Sequence, residues 1–264
     1  MAAPGAVSAA AGGGSLVRRV AMLRIAIVLT VLAVWEIVSA SGILFRDVVP
    51  SLLAIGGAIG RLLATPDFYG HLGLTAWEIA IGLAIGGTAG LAAGIVLGAN
   101  RFLSQAFESL LLYLGPTPKI IFFPVMIMWF GVGPGSKVAM GVVSCFFPIA
   151  ISTAAGMRQI DRVLIKVGRS FRASSWQMVT KIYLHAMRDP IVNGVRLGLG
   201  VAIIGTLLAE TKLSNRGLGS LVIQAYALFD MPRMYALVIV LFALSIGVNV
   251  LLGRLRGRPI VHTP

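Results

Sequence analysis

The sequence predicts an all-α, polytopic membrane protein with about six transmembrane helices. Composition is the first reason. Hydrophobic residues occupy 58% of the 264 positions and charged residues 12%, about half the charged share of an ordinary soluble domain. With a mean hydropathy of +0.93, so few charges do not cover a 27.7 kDa body in water, whereas bilayer spans of about 20 apolar residues need none. The apolar residues also fall in runs of spanning length, and the cations lie in the flanks of those runs. In a soluble chain the formal charge of +13 would point to nucleic acid; here topology accounts for it, and the expected surroundings are lipid bilayer with no nucleic acid. Cys145 is the only cysteine, and His71, His185 and His262 form no pair on a helix. No metal site or other cofactor is expected.

Residues 1–17, mostly Ala, Gly and Ser without charge, are expected to form a disordered tail, with the membrane domain at 18–258 and a short tail at 259–264. Arg18, Arg19 and Arg24 precede an apolar run at about 25–45. A twin-arginine signal peptide begins in a similar way, but this run is long enough to span and everything after it is membrane-like, so an uncleaved first helix is the simpler reading. Further spans are expected near 74–98, 106–131, 136–157, 190–211 and 232–253. Fourteen of the 22 Lys and Arg then share one side with the N-terminus, six (Arg46, Arg61, Lys137, Lys212, Arg216 and Arg233) lie on the other, and Lys119 and Arg196 fall within spans. Because cations are retained on the cytoplasmic side, both termini are expected in the cytoplasm.

The second span carries Gly82, Gly86, Gly90, Gly94 and Gly98, every fourth residue. Small residues at that spacing let helix backbones approach closely, and the stripe reads either as packing or as a conduction surface. The third span is interrupted by Gly115, Pro116, Thr117 and Pro118, followed at once by Lys119. A double-proline break inside a membrane is tolerated where protein or a hydrated cavity satisfies the freed carbonyls. It is either a plain kink or, as broken helices often are, part of a substrate path; in the second case Lys119 is the residue to attract an anion. Glu210 and Lys212 lie near the outer mouth, where gating and interfacial snorkelling are both open readings. Residues 158–189 form the one sizeable hydrophilic loop. Ile160, Val163, Leu164 and Val167, then Trp176, Val179, Ile182 and Tyr183, recur at helical spacing among cations, which predicts two short amphipathic helices with Ser174 or Ser175 as N-cap of the second. They suit either anionic lipid or a docking partner.

At this point a family resemblance becomes specific. LGPTPKIIFFPVMIMWFGVGPGSK (114–137), FPIAISTAAGMRQID (147–161) and ASSWQMVTKIYLHAMRDPIVNGVRLGLG (173–200) resemble the membrane subunit of an ATP-binding-cassette (ABC) importer, of the nitrate, sulfonate, taurine and bicarbonate branch. Likeness runs from about residue 51 to 253. The resemblance implies the permease fold of that family in a bacterial inner membrane, a second permease copy (identical or related), cytoplasmic ABC ATPase subunits and an extracytoplasmic solute-binding protein. It also implies that the 158–189 loop is the element that couples to the ATPase. The family pattern there is Glu-Ala-Ala, with Gly four positions after the second Ala. This chain has Lys166, Val167 and Gly168 in place of the first three, Arg172 in place of the Gly, then Ala173, Ser174 and Trp176, and His185 where Pro normally follows Leu184. If the Gly position needs positive φ, Arg172 costs about 1 kcal/mol or more. The segment Gly131–Lys137 is no phosphate loop, since Ser136 precedes and Val138 follows the lysine. Neither a Ser-His-Asp set nor HExxH occurs, so the chain is expected to be a transport subunit without catalysis of its own. Pro116, Pro118, Lys119 and Glu210 are the candidates for the path of a small anionic solute. Competing readings are an ion-coupled secondary transporter and a non-transporting membrane anchor.

Overall fold

In the computed structural model, which describes residues 8–42 and 48–254, all regular structure among those residues is helical. The expected tail at 1–17 is corrected in part: α1 runs Ser8–Ser41, because Ala residues preceding an apolar helix extend it at almost no cost once it is nucleated. Residues 1–7, 43–47 and 255–264 lie outside the described residues, so the expected end of the first span near 45 and the tail at 259–264 lie there too.

Among the described residues five helices are long and apolar enough to cross a bilayer. They are α1, α3 (Pro66–Ala99), α6 (Pro134–Arg158), α10 (Arg188–Lys212) and α12 (Met231–Arg254). The third expected span, 106–131, is not one kinked helix. α4 (Arg101–Leu114) stops at Gly115, and a 3₁₀ turn (Lys119–Phe122) leads into α5 (Phe123–Phe130) at 92° to α4, because neither proline can donate to the helical ladder. Two short apolar helices absent from the sequence reading also form: α2 (Leu52–Ala64), capped by the Ser51 side chain, and α11 (Leu218–Ala227). Both were too short for a search by spanning length.

The core of the fold is α6 held between α3 and α10. The glycine stripe of α3 faces α6 throughout. A Cβ at Gly82 would stand 3.2 Å from Val138 O, at Gly86 2.5 Å from Cys145 Sγ, at Gly90 2.7 Å from Phe146 O, at Gly94 2.7 Å from Ala150 O and at Gly98 2.9 Å from Ala154 O. Numbers rise together along both helices, so α3 and α6 run parallel. α10 approaches α6 antiparallel, with Gly194 against Ser152, Gly198 against Ile149 and Gly205 against Ser144. Rows of period four on each helix thus mesh with rows of period four on the next. α12 closes over α2, α10 and α11, where Leu62, Phe68, Leu218, Leu221, Ala225 and Leu237 form a cluster. α1 stays outside this block. The spanning part has no buried residue, and it is tied near its end by Trp35 Nε1 donating to Pro50 O at 3.0 Å, by Glu36 accepting from Leu52 N at 2.9 Å and by Trp35 stacking edge-on with Tyr235.

Cys145 is fully buried beside Gly86, so the reactivity of its thiol reports opening of the α3–α6 contact. Gly86→Leu or Gly94→Leu is expected to expose it at lower temperature, with about 1–3 kcal/mol lost to overpacking. Gly73→Ala, in open space, should leave the midpoint within error; equal loss in all three variants would rule out the stripe as the packing surface.

Candidate functional site

One end of the α3–α6–α10 block holds the buried ionisable side chains. Glu78 continues the α3 stripe one turn before Gly82, Lys137 begins the α6 row 137–141–145–149, and Glu210 ends the α10 row 194–198–202–206–210. All three are at most 1% exposed. Glu210 is held on both carboxylate oxygens: Oε1 accepts from Thr75 Oγ1 at 2.6 Å, Oε2 from Gly219 N at 2.6 Å. Thr75 in turn accepts from Leu218 N at 2.8 Å. The chain at Gly217 (φ 100°) passes so close to this carboxylate that a Cβ there would overlap Glu210 Oε1; glycine is required for both the backbone angle and the contact. His71 Nδ1 accepts from Gly217 N at 3.0 Å. Lys137 Nζ donates to Val132 O and, at 2.7 Å, to Leu213 O, joining the start of α6 to the end of α10. The Glu78 carboxyl lies within hydrogen-bonding reach of Glu210, and its Oε2 has no partner among the described residues. A buried charge in hydrocarbon costs at least a few kcal/mol unless paired, and this cluster answers that cost by giving both Glu210 oxygens a donor and the Lys137 ammonium two backbone carbonyls.

Glu210 is therefore not on an open surface. Lys212 is exposed, while Lys137, assigned by sequence to an outer flank, is buried. Arg158 and Glu108 form an ion pair between α6 and α4, with Ser104 donating to Glu108 Oε2 at 2.9 Å. At the broken third span Lys119 is half-buried. Its Nζ donates to Gly115 O and, at 3.2 Å, to Thr117 O, and it lies 5.2 Å from the Phe147 ring centroid. Both carbonyls lie within the break, where the helical ladder is interrupted, so the lysine that follows it in sequence satisfies them. Pro116 and Pro118 are exposed, as are Ile121, Phe122, Met128, Trp129 and Phe130 beyond them.

The loop forms α7 (Arg162–Ser170) and a second helical segment. This begins as α8 (Ser175–Gln177), passes through a π-helical turn (Met178–Tyr183) and ends as α9 (Leu184–Ala186). Ser174 caps it in a capping box with Gln177. His185 Nδ1 lies 3.1 Å from Thr180 O. The π turn replaces the regular second helix read from sequence. It seats α7, since a Cβ at Gly168 would stand 2.6 Å from Met178 Sδ and overlap the end of Ile182. Arg172 has φ 54°. Ala173 N bonds Gly168 O at 3.1 Å and Arg172 N bonds Arg169 O at 2.9 Å, a Schellman motif whose left-handed position ordinarily takes glycine. Of the apolar face expected there, Ile160 is buried with Met157 and Met187, whereas Val163, Leu164 and Val167 are exposed, with Phe171 at 84% and Trp176 at 75%.

A family model described as the binding-protein-dependent transport system inner membrane component matches residues 86–259. The chain belongs to this family. It is the permease subunit of an ABC importer, a multi-pass protein of the bacterial inner membrane, in the nitrate, sulfonate and taurine branch. The permease is 30% identical over 214 residues to SsuC of Escherichia coli, a protein named for aliphatic-sulfonate transport, with 81% of each chain covered. It is 29% identical over 214 residues to the taurine transport system permease protein TauC of Escherichia coli (80% of this chain, 77% of that one) and 24% identical over 205 residues to the nitrate import permease protein NrtB of Synechococcus elongatus (74% and 73%).

The sequence singles out Glu210 but not Thr75, His71 and Lys137, which gather at the same end of the block. A signal for Glu78 was present: it stands four residues before Gly82, in register with a stripe that must face another helix. Nothing in sequence marked Gly217–Gly219 as the donor loop for Glu210.

Two outcomes are expected. Glu210→Ala should lower the Cys145 exposure midpoint by the equivalent of about 2 kcal/mol or more, since it strands Thr75 and Gly219 N, while Thr75→Ser stays near wild type. Arg172→Gly should stabilise the α7 C-terminus by about 1 kcal/mol, read as slower amide exchange at 171–173; faster exchange would mean that the left-handed turn carries no strain.

Proposed function

We propose that this permease carries a small oxyanion of the sulfonate or nitrate class, delivered by an extracytoplasmic binding protein and driven by ATPase subunits on the side of the 158–189 loop. The observation that supports this most directly is the unpartnered apolar face of Val163, Val167, Phe171 and Trp176, ringed by Arg162, Lys166 and Arg169. A patch of that kind on a hydrophilic loop suits a protein groove. In this reading Lys166, Val167, Gly168, Arg172, Ala173, Ser174, Trp176, Leu184 and His185 form the coupling surface. Gly168 and the Ser174 cap hold its two helices at a fixed angle, and the side chains that face outward touch the ATPase. Both termini and this loop face the cytoplasm, in keeping with the excess of cations on that side. The burial of Lys137 removes one cation from the opposite face and makes the asymmetry larger.

A second copy of the permease domain, 18–258, completes the path. Its lining includes Pro116, Pro118 and the exposed aromatic residues after the break, with Lys119 supplying positive potential. Two of the ammonium protons of Lys119 serve backbone carbonyls, which holds the charge at the break. Glu210 contributes by fixing the α10–α11 turn rather than by meeting solute. The permease itself hydrolyses no ATP; that chemistry belongs to the partner.

Mild-detergent isolation of the tagged chain from native membranes tests the assembly. An ATPase with a phosphate loop, a second permease copy and a binding protein are expected at stoichiometric amounts. Trp176→Ala and Lys166→Glu should lose ATPase while keeping the wild-type Cys145 midpoint, the first through lost apolar contact and the second through reversed charge against an acidic groove. Retention of the ATPase by both variants would place the coupling surface elsewhere. Lys119→Gln should reduce uptake of a sulfonate and flatten its salt dependence; unchanged uptake would confine Lys119 to capping the break.

A further inference from the structure

The groove between α10 and α12 takes no part in the packing or the coupling surface described above. It has a volume of about 600 Å³ and mostly apolar walls that include Ile203, Leu207, Leu241, Phe242 and Ile246. One end is polar and carries Arg196 and Asn249. Arg196 Nε donates to Asn249 Oδ1 at 2.9 Å, and its two terminal nitrogens carry no hydrogen bond or ion pair among the described residues. The guanidinium lies beside Gly253, where a Cβ would stand 3.6 Å from Cζ and 3.7 and 3.8 Å from the terminal nitrogens.

Gly253 is the last residue of the α12 span. The Arg196 backbone sits about two turns inside α10, yet its charge reaches the membrane boundary by laying its methylenes along apolar wall. From Asn249 to Val238 the groove follows α12 for eleven residues, about 17 Å at 1.5 Å per residue. That is close to one leaflet of a hydrocarbon core about 30 Å thick. Beyond Gly253 the chain continues with Arg254, Arg256 and Arg258, and a basic run at the end of a span draws anionic headgroups.

We propose that this groove binds an anionic phospholipid, the phosphate oxygens accepting from the two terminal nitrogens of Arg196 and one acyl chain lying between α10 and α12. A planar guanidinium presents two parallel donors that match two phosphate oxygens. A free sulfonate would take the same donors but leave the apolar walls uncovered. A zwitterionic phospholipid would cover the walls but bring its own cation towards Arg196. The site is independent of the solute carried and of which face of the membrane is cytoplasmic.

The test uses the full chain purified in mild detergent with the subunits it retains. Bound lipid is measured by native mass spectrometry, and the Cys145 midpoint is followed after addition of phosphatidylglycerol, phosphatidylcholine or inorganic phosphate. The expected result is retained phosphatidylglycerol and a raised midpoint with that lipid alone. Arg196→Gln should weaken retention about fivefold, the step that one cation near a membrane surface is worth. Gly200→Leu should do the same by filling the groove, and because a side chain at Gly200 meets nothing within 4 Å it tests the site even if the Arg196 variant fails to fold. The proposal is overturned by equal retention in both variants or by equal stabilisation with phosphatidylcholine. Stabilisation by phosphate alone overturns it too, as does a cross-link from Ile246→Cys to a second copy of the chain.

Discussion

Close approach of three helices along rows of period four is the constraint on which the rest of this structure depends. α6 lies between α3 and α10 because each presents glycine or another small residue at every turn of the contact. Backbones brought this near gain dispersion contacts that lipid does not supply, which is the main source of helix association where the hydrophobic effect no longer discriminates protein from solvent. The same rows end at one level in Glu78, Lys137 and Glu210, so the packing that excludes lipid also gathers the charges. Their burial is tolerated because Gly219 N and the Thr75 hydroxyl donate to Glu210, and Lys137 takes the carbonyls left at the end of α10 and before α6.

Around that rigid block stand elements with far less cover. α4 and α5 meet at 92° and are fastened by the Glu108–Arg158 pair and by Lys119 over the freed carbonyls. α1 is tied at its end and bare along its span. The exposed aromatic residues after the proline break and the bare face of α7 belong to the same category of unfinished surface. A single permease chain is thus a packed triple-helix wall with several apolar faces waiting for neighbours, as a subunit of a larger transport assembly requires.

The loop helices show how a departure from a family pattern is accommodated. Arg172 stands in a left-handed turn with both Schellman hydrogen bonds made, so the backbone geometry persists although its customary residue is gone. The angle between α7 and the following helix is set by Gly168 against the π turn and by the Ser174 capping box, and these are local features that Arg172 does not disturb. What changes is the chemistry offered to a partner: a lysine in place of an acid at 166, and exposed Phe171 and Trp176 on either side of the turn.

Sequence alone determined the class of this protein, four of its spans to within about two turns, the break at Gly115–Pro118, an N-cap at Ser174 or Ser175 and the conditional strain at Arg172. Each of these follows from composition, from runs of spanning length or from local backbone chemistry, which act over a few residues and leave a direct mark. Only the tertiary structure decided that Lys137 is buried rather than interfacial, that Glu210 is held by Thr75 and a loop beyond it, and that α7 leaves its apolar face bare. Charge count places Lys137 in a flank, and amphipathic spacing marks a face without saying what covers it. Partners distant in sequence, Thr75 with Glu210 across α3 and α10 and Arg196 with Asn249 across α10 and α12, arise from how the helices cross, and that crossing depends on many contacts at once.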